Sequence, residues 1–230
     1  MTGAGFYGKL AGRGDFIHRG LPNSFIEPWD AWLSAGIAAS RAELGAAWLD
    51  AYLVSPLWRF AVSPGLLGRE AVAGVMMPSI DRVGRYFPLC IAHLLEAEAD
   101  LASLVGGPQD WFEAAEASLL SSLDADADFA SFEAAVDALG TPHYRLKTPG
   151  GAAFAQRYFK ADSPAERAAA LAQLGCEEAS LWWGMGSERV AAGLLRCIGL
   201  PQPQAFSVLL LGGGGSAPLS LPAQLDFENP

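Results

Sequence analysis

Three cysteines in 230 residues, Cys90, Cys176 and Cys197, stand far apart with no Cys-x-x-Cys pair among them. An odd, scattered set builds neither a disulfide framework nor a thiolate zinc site, so buried free thiols are expected. Histidine is as scarce, with only His18, His93 and His143. No Gly-x-Ser-x-Gly occurs, because the run around Ser216 lacks the second glycine. Both shortages weigh against a Ser/His/Asp nucleophile. Glycine is plentiful, yet no Gly-x-x-x-x-Gly-Lys-Ser/Thr cradle is present. Nor does a Rossmann strand–glycine–helix arrangement follow the first glycines. Asp124, Asp126 and Asp128 mimic the start of a calcium loop, but Phe129 fills its glycine position and Ala135 its final acid. A solvated turn between helices is the better reading, and no metal or cofactor is expected.

Long apolar runs are missing too. The chain does not open on a basic start followed by an apolar core, and Phe206 to Leu211 is too short to span a bilayer. A soluble cytoplasmic protein is expected. Lysine and arginine are absent from Glu96 to Asp137, where eleven acids carry slightly more than the whole net charge of −10. That block reads as a solvated helix face or a dock for a basic partner. With no basic stripe interleaved with aromatics, nucleic-acid binding is disfavoured.

The chain does hold enough apolar material for a core, at 51% hydrophobic and 17% charged residues. At this length it needs no covalent staple. One domain over 1–230 is expected, with a core at about 5–200 and a tail at about 212–230. Ser24-x-x-Glu27 fits a capping box and puts Pro28 near a first turn. Trp29, Trp32, Leu33 and Ile37 follow helical spacing, and a second helix is predicted over about 41–54. Short apolar or aromatic runs at 58–62, 71–78, 86–95 and 180–184 read as strands covered on both faces. Residues 206–211 are a further candidate to close the sheet, and 186–195 stays ambiguous. Helices are expected at 108–123, with Leu119, Leu120 and Leu123 inward and Glu116 outward. Others are expected up to about Gly140 and over 164–174. Thr148 to Gly151 reads as a loop. The tryptophans suit core packing.

The densest signal is Gly5-Phe-Tyr-Gly-Lys-Leu-Ala-Gly-Arg-Gly-Asp-Phe16. Its glycines interrupt any strand and place Lys9, Arg13 and Asp15 on a shaped segment, with Arg19 just beyond. A second charged loop holds Asp81, Arg82 and Arg85. Two readings of these seven residues stay open and can coexist. In one, Arg13 or Arg85 pairs with Asp15 or Asp81 and ties the loops together. In the other, neighbouring loops present a mixed-charge recognition surface, or Arg13, Arg82 and Arg85 clamp an anion between them as in a ligand sensor or enzyme.

The blocks GFYGKL, RGDF with RGLP, PWDAWL (Pro28 to Leu33) and SIDRVGRYFPL (Ser79 to Leu89) occur in order. Together they resemble the TagF (ImpM) family of type VI secretion-associated proteins, over Gly5 to about Leu95. Ala11, in place of an expected proline, is a small departure. The resemblance implies a three-layer α-β-α fold with a central, mostly antiparallel sheet similar to longin or profilin-like domains. It implies a non-enzymatic cytoplasmic accessory protein that represses secretion after translation by engaging the system's forkhead-associated scaffold. Lys9, Arg13, Asp15, Arg19, Asp81, Arg82 and Arg85 would then be the partner-binding residues.

Overall fold

The computed structural model describes residues 3–124, 127–147, 161 and 163–213. The loop expected at 148–151 and most of the expected tail lie outside them. Among the described residues seven strands form one sheet in the order β2-β1-β5-β4-β3-β6-β7. They are β1 (Gly5–Gly8), β2 (Ile17–Arg19), β3 (Trp58–Val62), β4 (Ala71–Met77), β5 (Leu89–Leu95), β6 (Ala179–Gly184) and β7 (Gly193–Ile198). Every ladder between them is antiparallel. The helices are α1 (Asn23–Leu44), α2 (Trp48–Leu53), α3 (Leu101–Gly106), α4 (Asp110–Ser121), α5 (Phe129–Asp137), α6 (Pro164–Gly175) and α7 (Ser207–Leu211).

Alternation along the strands splits the core into two layers, because successive side chains point to opposite faces. On one face Phe6, Ala73, Val75, Ile91 and Leu181 meet Trp111, Phe112 and Leu119 of α4 and Phe132 of α5. On the other, Tyr7, Phe60, Val72, Cys90 and Trp182 meet Phe25, Trp29 and Leu33 of α1, Tyr52 of α2 and Leu209 of α7. The expected three layers are therefore present. All seven tryptophans are buried. Gly36 lets α1 approach the ring of Phe206 so closely that a Cβ there would stand 2.2 Å from Cδ2.

Several local expectations need correction. Pro22, not Ser24, caps α1: its carbonyl accepts the Phe25 and Ile26 amides, and no side chain caps the helix. Pro28 accordingly sits inside α1, and the helix runs on to Leu44 before a 3-10 turn (Gly45–Ala47) leads into α2. Residues 207–211 form a helix and close no sheet; the closing strand is β7. Leu120 and Leu123 are exposed. Glu116 turns inward instead and receives Arg59 of β3 through Nε–Oε1 at 2.7 Å and Nη2–Oε2 at 2.8 Å. Asp128 caps α5 by accepting the Ser131 amide.

The glycines of the opening run do not break β1. Gly5 and Gly8 admit its neighbours: a Cβ at Gly5 would lie 2.4 Å from the Arg19 carbonyl, and one at Gly8 2.1 Å from the Pro88 carbonyl. Gly8 also takes a φ of +142°, which L side chains rarely adopt.

Candidate functional site

The end of β1 and the start of β5 lie side by side at one end of the sheet, since Gly8 pairs with Leu89 in an antiparallel ladder. The loop that leaves β1 therefore meets the loop that precedes β5. Ile80 and Tyr86 pair as an isolated bridge and pinch the second loop into a tight hairpin around Asp81 to Arg85. The Arg82 amide donates to the Arg13 carbonyl at 3.0 Å, joining the loops through the backbone. Ser79 Oγ donates to the Lys9 carbonyl at 2.7 Å, and Tyr52 OH donates to the Ser79 carbonyl at 2.9 Å.

Asp81 is the hub. Its side chain is fully buried, and Oδ2 lies 2.7 Å from Lys9 Nζ and 2.6 Å from Arg85 Nε. Oδ1 accepts the Val83 amide at 3.0 Å and the Arg85 amide at 2.8 Å. Burial alone would push this carboxyl up. The donors from Lys9, Arg85 and Val83 more than offset it and hold the group well below the usual carboxylate range. Arg85 also donates from Nη2 to the Gly14 carbonyl, so one guanidinium bridges both loops. The Arg85–Asp81 pair lies within the second loop; the ion pair that ties the loops is Lys9–Asp81, and Arg85 reaches the first loop through the Gly14 carbonyl.

The other singled-out residues divide. Lys9 is 5% exposed and belongs to the hub, with its ammonium 5.1 Å from the centre of the Phe16 ring. Arg13 is exposed and stacks its guanidinium 4.6 Å over Phe129 of α5. Asp15 and Arg82 are exposed beside it and make no ion pair among the described residues. Arg19 is not part of the loop pair. It leaves β2 toward α5 and meets Glu133 at 2.5 Å.

Phe16 was not singled out from sequence. It is 44% exposed, stacked on Tyr7 at 5.6 Å and edge-on to Phe87 at 4.9 Å. Its only sequence signal is an aromatic after Arg-Gly-Asp, which a core residue would share. Val83 projects at the tip of the second loop, 64% exposed. Two grooves flank the hub. One, of about 420 Å³, runs between Leu10 to Arg13 and the α4–α5 turn, lined also by Asp124, Asp128 and Phe132. The other, of about 470 Å³, is lined by Arg41, Trp48, Leu49, Gly84, Arg85 and Tyr86. Arg82 and Arg85 both reach Gly14, but Arg13 and Arg85 do not line one groove together. Arg13 faces the first groove and Arg85 the second.

These features define a three-layer α/β protein whose buried ionic hub fixes a mixed-charge, partly aromatic loop surface at one end of the sheet. Residues 5–139 match the TagF N-terminal domain, type VI secretion system-associated, and the chain belongs to this family. The match extends past the landmarks at 5–95 to include the acidic middle. The crystal structure of PA0076 from Pseudomonas aeruginosa PAO1 superposes with a TM-score of 0.89 at 59% identity, over 94% of this chain and 97% of that one. No curated protein matches the chain in sequence.

Proposed function

We propose that this protein is a non-enzymatic, cytoplasmic accessory of a type VI secretion system that represses secretion by binding the forkhead-associated scaffold. The loop pair Gly12 to Phe16 and Asp81 to Tyr86 supplies the contact. One observation carries the reading: the buried Asp81 hub spends two cations and two backbone amides on holding exposed loops in one shape. Loops ordered before contact lose little entropy on binding. Phe16 and Val83 supply apolar area within the exposed charges Arg13, Asp15 and Arg82, which set register and partner choice.

The test is a binding assay against the purified scaffold with Phe16→Ala and Arg82→Glu. Arg82 is exposed, so its variant should keep the parent's circular dichroism and melting temperature; Phe16→Ala gives up ring contacts with Tyr7 and Phe87 and should keep the circular dichroism with a modestly lower melting temperature. Each is expected to weaken binding by about tenfold or more, the loss typical of a hot-spot side chain. Parent-level binding by both folded variants would remove the loop pair from the interface. Failure of the parent to bind would remove the scaffold as partner.

A further inference from the structure

The second groove has features that the hub does not require. Trp48 forms its wall: the indole N–H donates to Ser40 Oγ at 2.9 Å, and the ring stacks on Tyr52 at 4.8 Å. Tyr86 stands edge-on to both rings, 5.9 Å from Trp48 and 5.8 Å from Tyr52. Over this rigid wall lies the Arg41 guanidinium, 4.1 Å from the Trp48 ring. Arg41 meets no carboxylate within ion-pair distance among the described residues. On the opposite side Arg85 commits Nε to Asp81 and Nη2 to Gly14, which fixes its guanidinium plane at the rim.

The charge balance points the same way. Asp81 is one carboxylate against Lys9 and Arg85, and Arg41 adds a further cation, so these four side chains together sum to +2. Among the described residues no acidic side chain lines the groove. A protein of net charge −10 thus keeps a positive concavity with an aromatic wall. A guanidinium fork offers parallel N–H donors that match phosphate oxygens.

We propose that this groove binds a phosphomonoester dianion. Arg41 and Arg85 supply the charge and the N–H donors, Tyr86 a hydroxyl donor, and Trp48 and Leu49 an apolar wall for whatever the phosphate is attached to. The same chemistry serves free orthophosphate and the phosphate ester of a small aromatic molecule.

The test follows the indole N–H of Trp48 by ¹H–¹⁵N NMR, assigned with Trp48→Phe. The full chain is titrated with inorganic phosphate, with phenyl phosphate and with acetate at matched ionic strength. Saturable shifts with the two phosphates and none with acetate are expected. Arg41→Gln should weaken both by about tenfold or more, and Arg41→Lys by less, because it keeps the charge and loses the fork. Arg41 is exposed and glutamine has a similar helix propensity, so a melting curve close to the parent's is expected. Tighter binding of phenyl phosphate assigns the groove to an ester, and equal affinities assign it to the free anion. An unshifted Trp48 signal, an equal response to acetate, or undiminished affinity in folded Arg41→Gln overturns the proposal.

Discussion

A carboxylate removed from water must have its lone pairs met by donors, or it protonates or stays outside. At Asp81 they are met by two side-chain cations and two amides, none further than 3.0 Å. Asn in its place keeps the shape but turns an NH₂ toward one pair of donors, either Lys9 and Arg85 Nε or the Val83 and Arg85 amides, which need an acceptor. Asp81→Asn is therefore expected to lower the melting temperature at neutral pH and to increase amide exchange at Val83 and Arg85. The pH dependence follows from the direction of the shift. The folded carboxyl is held below its ordinary value, so its stabilisation is fully present above the unfolded pKa, about 3.9. It is lost as pH falls below that value toward the lower folded one. The gap between the melting temperatures of parent and variant should narrow as pH falls from 4 to 2.5, without closing, because the folded carboxyl titrates lower still. A gap that stays constant below pH 4 would mean that the Asp81 charge does not stabilise the loops. The cysteines illustrate the opposite case: burial pushes the Cys90 thiol up to about 12, with nothing nearby strong enough to oppose it.

At the scale of elements, the buried Arg59–Glu116 pair decides how α4 sits on β3. Arg59 also donates from Nη1 to Gln109 Oε1 at 2.9 Å, and the same oxygen accepts Trp183 Nε1 at 3.1 Å. Removing one charge strands the other, so Arg59→Met and Glu116→Leu should each cost about 3–5 kcal/mol. The double variant should recover much of that loss, because no buried charge then remains. Urea denaturation of the four proteins gives the coupling, and additive losses would rule out a direct pair. Sequence could not reveal this contact, since Glu116 also satisfies the polar side of a helical period. What was legible follows the same logic. Strands β3, β4, β5 and β6 are covered on both faces and so read as apolar runs. β2 and β7 are edges, and their mixed patterns gave no period. Residues 207–211 are too short to show helical period, and a brief apolar run reads equally as strand or helix. In the candidate site, the two charged loops were legible because glycine, proline and charge concentrate there, but the Lys9–Asp81 pair that ties them was not, since the sequence offered only an arginine for that role. Arg41 was not, because its partner is an aromatic ring seven residues along one chain of helices.

Across the whole molecule, the question is what the acidic block from 96 to 137 does. Part of its charge is neutralised internally: Glu116 by Arg59, Glu133 by Arg19, while Asp100 and Asp128 cap α3 and α5. Asp124 and Asp137 remain exposed in the same layer, with no ion pair among the described residues. Two opposing effects of salt follow. Screening weakens surface pairs such as Arg19–Glu133, which is half exposed on its arginine side. It also relieves repulsion in a molecule of net charge −10. The strongest pairs here, at Asp81 and Arg59, are buried and little affected by screening, so repulsion should dominate. The melting temperature is expected to rise by about 1–3 °C between 0.05 and 0.5 M sodium chloride, on the order of 1 kcal/mol for a chain of this size. Asp124→Asn combined with Asp137→Asn should raise the low-salt value and flatten the response, because it removes two of the unpaired charges. A melting temperature that falls with salt would instead mean that surface ion pairs hold the α4–α5 layer. The acidic block would then be a structural clasp rather than a repelling face free to meet a basic partner.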